Sequence, residues 1–508
     1  MVSHAHPAGD DAVSIGFGRT SLRGTWATDL PFVDDIEANA VVLRKGRGRP
    51  VALMNCDMLS MLPSTCLRIR DQVARTTGTA PEQVGVFCTQ NHGVPLDSPA
   101  DFDPDLLAAR FAEAARQALH AAQPAWMAYV EAAPRPAGVV KRRKRFNGIG
   151  SFTFYYGFDV RPDGQAGCAD LLELALKGLM VGPEVALRHP YPASAQWPAL
   201  RDPLPPVPRD LTLDDPDDPL IQGIFFRSTD GRPLGSISRW AAHPITANMT
   251  RQGQSVHHSA DYPFYLRRAL GQEFGGGAVF FTGPCGDQAP LVGEKSPALA
   301  GRTGEQVGRQ LLEALRTAIW QPVTALHAGS TAVQLPVRDD YPRSMEQANK
   351  SLETIRREFH ETRISDVPDK WKRLKSLSDE IERLSYTAEG THLSWTGLRL
   401  ETLAKGRVRH PLFALRIGDV ALAGLPGEPF GAYSVELRKR CAPLRVIVAE
   451  ECNGYLGYLP TAAEFPLGGY GSNSAIFSPD SEALLIESTA SLIRRIGDEE
   501  APGQPATA

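Results

Sequence analysis

Five apolar stretches of this chain stop abruptly at polar or Gly/Pro residues. They read Val-Phe-Cys-Thr-Gln90-Asn91-His92-Gly, Arg-Trp-Ala-Ala-His243-Pro, Val-Phe-Phe-Thr-Gly-Pro-Cys-Gly286-Asp287-Gln288, Ala-Gly-Leu-Pro-Gly-Glu428-Pro and Val-Ala-Glu-Glu-Cys-Asn453-Gly. Where strands end, the backbone turns away and side chains converge, so such ends are where α/β proteins bind ligands. Two imidazoles (His92, His243) and a carboxylate (Glu428) brought in on separate turns suit a zinc-type site with an open position. No local signature such as His-Glu-x-x-His accompanies them. The same residues would equally serve as hydrogen-bonded loop histidines and a carboxylate at a helix start. His257 and His258 read as loop residues ahead of a helix capped by Ser259 or Asp261. Asp57 reads as a strand-end turn residue, and the basic run Lys141 to Arg145 as a solvated face.

The elements that must position these residues follow from periodicity. Ala40 to Leu43 and Val51 to Met54 flank a Lys-Gly-Arg-Gly-Arg turn, and Val84 to Cys88 follows a helical stretch, which predicts strand, hairpin, helix, strand. Leu107, Phe111, Ala115 and Leu119 recur every fourth position and predict a helix over 105–122. The pattern resumes with a strand Leu234 to Trp240, a helix Pro263 to Glu273, a strand Ala278 to Phe281 and a helix Gly304 to Trp320. It ends with strands at 414–417, 420–423 and 446–449 and a helix over about 480–496. That alternation is an α/β fold of mixed β-sheets flanked by helices. The Pro- and Asp-rich segment 188–220 is expected to be a loop. Residues 341–390 are expected to form two amphipathic helices, broken near Pro368 and projecting from the body. Strand-like segments on both sides of 188–220 must share one sheet system, so 12–498 reads as a single domain followed by a disordered tail over 499–508.

With 508 residues, 42% of them hydrophobic, the chain can bury a large core. A net charge of −4, mixed along the chain, excludes a field that would recruit nucleic acid or an anionic membrane. The seven cysteines (Cys56, Cys66, Cys88, Cys168, Cys285, Cys441 and Cys452) are scattered, without a Cys-x-x-Cys pair, so they read as small buried hydrophobes. No apolar run is long enough to span a bilayer and no signal-like start is visible, which gives an expectation of cytoplasmic location.

The wording and order of the turns resemble the neutral ceramidase family, the non-lysosomal zinc amidases. The resemblance rests on Ile15-Gly-Phe-Gly-Arg, Asn55-Cys-Asp57-Met-Leu, Thr89-Gln-Asn-His92-Gly-Val-Pro, Val140-Lys-Arg142-Arg, Ala242-His243-Pro and Ser259-Ala-Asp261-Tyr-Pro. It continues through Gly283-Pro-Cys-Gly-Asp287-Gln-Ala-Pro, Leu425-Pro-Gly-Glu428, Asn453-Gly-Tyr-Leu-Gly-Tyr-Leu-Pro and Gly468-Gly-Tyr470. It implies a catalytic zinc whose ligands include His243, Glu428 and Tyr470, with Arg142 binding a substrate oxygen. The family's turn His-Thr-His-Ser-Gly-Pro stands here as Gln90-Asn91-His92-Gly93-Val94-Pro95, so one implied ligand position holds Gln90 and His92 matches the second histidine. An amide oxygen is a harder, weaker zinc ligand than imidazole. The expectation is therefore retained metal, held by His243, Glu428, Tyr470 and either Gln90 or a shifted His92, with zinc or another divalent ion as cofactor.

The resulting reading is a metal-dependent hydrolase that cleaves an amide or related bond of a small molecule with metal-activated water. His92 would carry a proton or stabilise the oxyanion, and Asp287 would shape the site wall or orient a histidine. Ser259 is a weaker candidate nucleophile, lacking a glycine elbow. The motifs match those of the family's catalytic domain, which gives an expectation of that domain without the immunoglobulin-like domain of full-length ceramidases. The substrate is therefore left open among lipid amides, other amides, esters and glycosides. Two alternatives stand beside this: a carbohydrate hydrolase using Glu428, Asp261 or Asp287 as acid and base, and a binding protein without turnover.

Overall fold

The computed structural model describes residues 12–94, 102–133, 138–154, 168–182, 199–201, 204, 217–247, 250–251, 254–290 and 295–498. The tail 499–508, most of the 188–220 segment, Pro95 and the Cys168 side chain lie outside these residues.

A large mixed sheet runs in the order Gly277–Thr282, Pro233–Trp240, Ile221–Ser228, Gln123–Ala132, Val13–Ser21, Glu37–Lys45, Val51–Cys56 and Val84–Cys88, and the short strand Gln321–Pro322 pairs with Gln123–Ala132. Strands from both sides of 188–220 thus share one sheet, as expected. A second sheet orders Leu326–Pro336, Arg407–Ile417, Val420–Gly424 and Arg445–Ala449. Apolar side chains of both sheets, among them Val41, Leu53, Phe281, Leu415 and Ile447, form one buried cluster. Phe87 belongs to it, with ring centroids 4.9 Å from Phe281 and 6.5 Å from Phe413. This packing fixes the strand that delivers Gln90 and His92.

Helices cover the sheets as binary pattern requires. Pro104–Ala121 starts at Asp103, whose carboxylate accepts from the backbone N–H of Asp105 and Leu106 at 3.0 and 2.9 Å. It lies directly on the strand Val13–Ser21 because that strand carries Gly16 and Gly18. A Cβ at either position would come within 2.0 or 2.1 Å of a carbonyl oxygen of the helix. The helix expected from Gly304 begins earlier, as Pro297–Leu315. The Ser296 hydroxyl caps Leu299 N–H at 3.1 Å, and the chain breaks after Leu315 instead of continuing to Trp320.

Residues 341–390 do form two helices, Met345–Ile364 and Lys370–Ala388, interrupted around Pro368. They do not project from the body. Leu374, Leu377, Ile381 and Leu384 are buried against Phe146, Phe154 and Leu176. Asp379 accepts hydrogen bonds from Gly469 N–H at 3.2 Å and from Asn473 Nδ2 at 2.6 Å. The apolar stripe that predicted the helices is the surface that docks them. No helix among the described residues is long and apolar enough to cross a membrane.

Candidate active site

Backbone bonds stitch the strand ends into one wall. Thr282 Oγ1 donates to Thr89 O at 2.6 Å and Glu450 N–H to Thr282 O at 2.9 Å. Gly286 N–H donates to Pro429 O at 3.0 Å and Glu428 N–H to Gly457 O at 3.0 Å. The turns are tight enough that Gln90, Asp261, Glu451 and Asn453 adopt positive φ values of 58°, 57°, 57° and 59°. Non-glycine residues reach that region at a conformational cost, and such costs gather at functional sites.

On this wall His243 and Glu428 meet. His243 Nδ1 lies 2.9 Å from Cys285 O, a carbonyl that can only accept, so Nδ1 carries the proton and Nε2 is left with its lone pair. Nε2 faces Glu428 Oε2 at 3.4 Å, and neither atom has another hydrogen-bond partner among the described residues although both are buried. Glu428 Oε1 accepts from Tyr455 OH at 2.9 Å. Burial, then the Arg142 charge, holds the His243 pKa well below the ordinary imidazole value. Burial raises that of Glu428, against the pull of Arg142.

Two buried lone pairs in opposition call for a proton or a cation between them. The separation accommodates either: 3.4 Å is a long hydrogen-bond distance for a proton on one of the two, and bonds of about 2.0–2.1 Å to one tetrahedral ion put two ligand atoms about 3.3–3.4 Å apart. No third His, Cys, Asp or Glu joins the pair in a metal-holding group among the described residues. His92 accordingly stands beside it, its ring centroid 5.2 Å from that of His243 and its Nδ1 3.1 Å from Gln90 O. The His92 ring keeps some solvent contact, but protein encloses it on most sides. Burial and His243 together push its pKa down to about 3.

Gln90 is fully buried. Its Oε1 lies 3.3 Å from Cys285 Sγ, while its Nε2 has no partner among the described residues. Tyr470 follows Gly468 and Gly469, whose φ values of 67° and 87° allow the turn. Its ring stands 5.1 Å from Tyr458 and 6.0 Å from Tyr386 of the docked helix. The described contacts thus put the Gln90 amide beside Cys285, on the Nδ1 side of His243, and the Tyr470 ring against Tyr458 and Tyr386.

Arg142 is 1% exposed, which excludes the solvated-face reading for it, as burial does for Arg143 and Lys144, while Arg145 of the same run is exposed. Its Nε and Nη2 donate to Gly286 O at 3.2 and 2.8 Å, and Nη2 also to Tyr458 OH at 2.7 Å. Asp287 Oδ1 accepts Gly431 N–H at 2.8 Å, so it shapes the wall next to Glu428. The carbonyl that orients His243 belongs to Cys285, not to Asp287. Ser259 Oγ donates to Asp34 Oδ2 at 2.5 Å and accepts Asp261 N–H at 3.0 Å, an arrangement that braces the loop. His257 and His258 bond Ala247 O and Gly93 O, as loop histidines do. Asp261 is held by Ala247 N–H at 2.6 Å and by Thr246 Oγ1, and Asp57 by Arg267.

Four residues at the site were not singled out from sequence. Tyr455 and Tyr458 lie in a quoted motif, but nothing in their spacing assigns them to Glu428. Cys285 Sγ donates to Glu450 Oε1 at 3.0 Å, and Glu450 Oε2 accepts Cys285 N–H at 2.9 Å. Burial and the nearby Glu428 raise the Glu450 pKa, which favours its neutral form.

Comparison with known structures gives the fold a counterpart. The chain is similar to the crystal structure of neutral ceramidase from Pseudomonas aeruginosa, with a TM-score of 0.60 and 15% identity over 98% of this chain and 76% of that one. It is similar to a ceramidase complexed with C2 at a TM-score of 0.60 and 14% identity over 95% of this chain and 75% of that one. The chain therefore has the neutral ceramidase fold. Neither a family model nor a curated protein sequence matches it.

Proposed function

We propose that this protein is a metal-dependent hydrolase that cleaves an amide or related bond of a small molecule, with a lipid amide as the first class to test. One observation carries the reading: His243 Nε2 and Glu428 Oε2 face each other at 3.4 Å, buried and without another hydrogen-bond partner among the described residues. The neutral ceramidase fold supports it. A divalent ion at this pair, zinc above all, supplies Lewis acidity that polarises a scissile carbonyl and acidifies water.

The chain's own residues do the rest. Cys285 O fixes the His243 tautomer so that Nε2 points at Glu428. Tyr455 holds Glu428 in place through Oε1. His92, kept neutral because burial and His243 hold its pKa down to about 3, can orient a water by accepting a hydrogen bond at Nε2, since Nδ1–H faces Gln90 O. Arg142, locked by Gly286 and Tyr458, keeps a positive charge beside the site that favours developing negative charge on a substrate oxygen. A pair of carboxylates acting on a sugar fits less well, because Asp261 and Asp287 spend oxygens on local backbone donors.

The test is turnover of fluorogenic N-acyl amides, esters and glycosides by the purified protein, before and after chelation. Amide hydrolysis lost on chelation and restored by zinc is the expected result. Turnover of glycosides alone, indifferent to chelation, would overturn the proposal.

A further inference from the structure

The helix Lys370–Ala388 carries two stripes. Its apolar stripe docks it on Phe146, Phe154 and Leu176, and docking needs nothing more. Yet Asp379, Glu382 and Tyr386, spaced three and four residues apart and so on one face, are directed at the turn that carries Tyr470. Asp379 and Glu382 both accept from Asn473 Nδ2, at 2.6 Å each, and Asp379 also from Gly469 N–H at 3.2 Å. Tyr470 lies between these two anchor points in the chain. Two carboxylates on one amide repel each other: burial, and then Asp379, raises the Glu382 pKa to about 7. Such costly pairings gather at functional sites.

The same stripe reaches the phenol itself. Tyr386 O–H donates to Glu382 Oε1 at 3.4 Å, its oxygen is also hydrogen-bonded with the Tyr470 phenol, and its ring meets Tyr470 edge-on at 6.0 Å. The Tyr470 ring packs edge-on against Tyr458 as well, at 5.1 Å. Tyr458 in turn bonds Glu428 and accepts from Arg142 Nη2 at 2.7 Å. Three tyrosines thus join Glu382 to Glu428 without a break. Glu382, Tyr386 and Tyr470 each keep some solvent contact, so this run of side chains is not sealed in the core.

We propose that Glu382 and Tyr386 are positioning residues of the active site that act through Tyr470, fixing where its phenol stands against Tyr458 and so beside Glu428 and Arg142. The inference rests on the proposed function for the task it gives Tyr470 in turnover. Two variants test it without dismantling the fold. Tyr386→Phe removes one hydroxyl and keeps the ring that stacks 5.0 Å from His392. Glu382→Leu removes the acceptor at nearly constant volume and leaves Asn473 bonded to Asp379.

On an amide that the wild type hydrolyses, each variant should lose at least about ten-fold in kcat while KM stays within about two-fold. The double variant should lose no more than either single one, because the two residues act in series. A merely structural role would instead lower the melting midpoint and leave the kcat of the folded protein unchanged. A second readout needs no turnover: with Tyr470 replaced by a fluorotyrosine, its fluorine NMR resonance should move in both variants. Wild-type kcat in both variants, additive losses in the double variant, or a resonance that neither variant moves would overturn the proposal. A wild type that hydrolyses none of the substrates fails the proposed function alone, and the resonance then decides whether Glu382 and Tyr386 position Tyr470.

Discussion

Replacing Glu428 by Gln should stabilise the metal-free protein and abolish its response to zinc. In Glu428→Gln the amide oxygen can still accept from Tyr455, and the amide nitrogen takes the place of Oε2, where it can donate to His243 Nε2. Two opposed lone pairs become one hydrogen bond. Each buried acceptor left unmet is worth about 1–3 kcal/mol, so the variant should gain about that much in chelator. With roughly 2.1 cal/mol/K of unfolding entropy per residue over 508 residues, 1 kcal/mol corresponds to about 1 °C, giving a midpoint about 1–3 °C higher. Burial raises the folded-state pKa of Glu428 above its unfolded value, so ionising it costs the wild-type protein stability as pH rises through that folded pKa. The variant's advantage should therefore grow towards alkaline pH. Zinc at a thousand times its dissociation constant would add about 4 kcal/mol to the wild type and nothing to the variant, reversing the order. Differential scanning fluorimetry with EDTA or zinc, at two pH values, reads all of this. A variant less stable than wild type in EDTA, or one stabilised equally by zinc, would refute the reasoning.

Gln90→His should tighten zinc binding at least about ten-fold, since imidazole is the better ligand and histidine tolerates the left-handed backbone found there. Competition with a chromophoric chelator checks it, and unchanged affinity would count against placing Gln90 at the metal. His410 is buried against Cys452 O at 3.0 Å, and burial pushes its pKa down to about 4. Below its unfolded pKa of about 6.5 the unfolded chain takes up a proton that the folded one refuses, so stability falls by up to about 1.4 kcal/mol per pH unit between those values. Denaturant titrations of wild type and His410→Gln from pH 7 to 4.5 should differ in that slope, by about 2–3 kcal/mol in total; parallel curves would contradict it.

Much of the fold was legible because buried strands carry dense apolar runs. Val84–Cys88 was read to the residue and Pro233–Trp240 to within one. Val13–Ser21, interrupted by Gly16 and Gly18, and the largely half-exposed Leu326–Pro336 were not read as strands, since glycine and partial exposure both weaken a period of two. The helices over 341–390 were visible from their stripe, but a stripe does not say what covers it. At the site, His92, His243 and Glu428 stood out because polar residues ending apolar runs are conspicuous. Cys285, Tyr455 and Tyr458 look like core residues in sequence and Glu450 is one of two adjacent acids at a strand end, and only their convergence from separate strand ends gives them a role. Arg142 was found, whereas its complete burial depended on Gly286 and Tyr458, far away in the chain.

The most direct measurement is the metal content of the protein, by elemental analysis, after purification without chelator. The account predicts about one zinc or similar divalent ion per chain in the wild type and loss of most of it in His243→Ala. A wild-type protein without metal after exposure to zinc, or a His243→Ala variant that keeps its full complement, would contradict it.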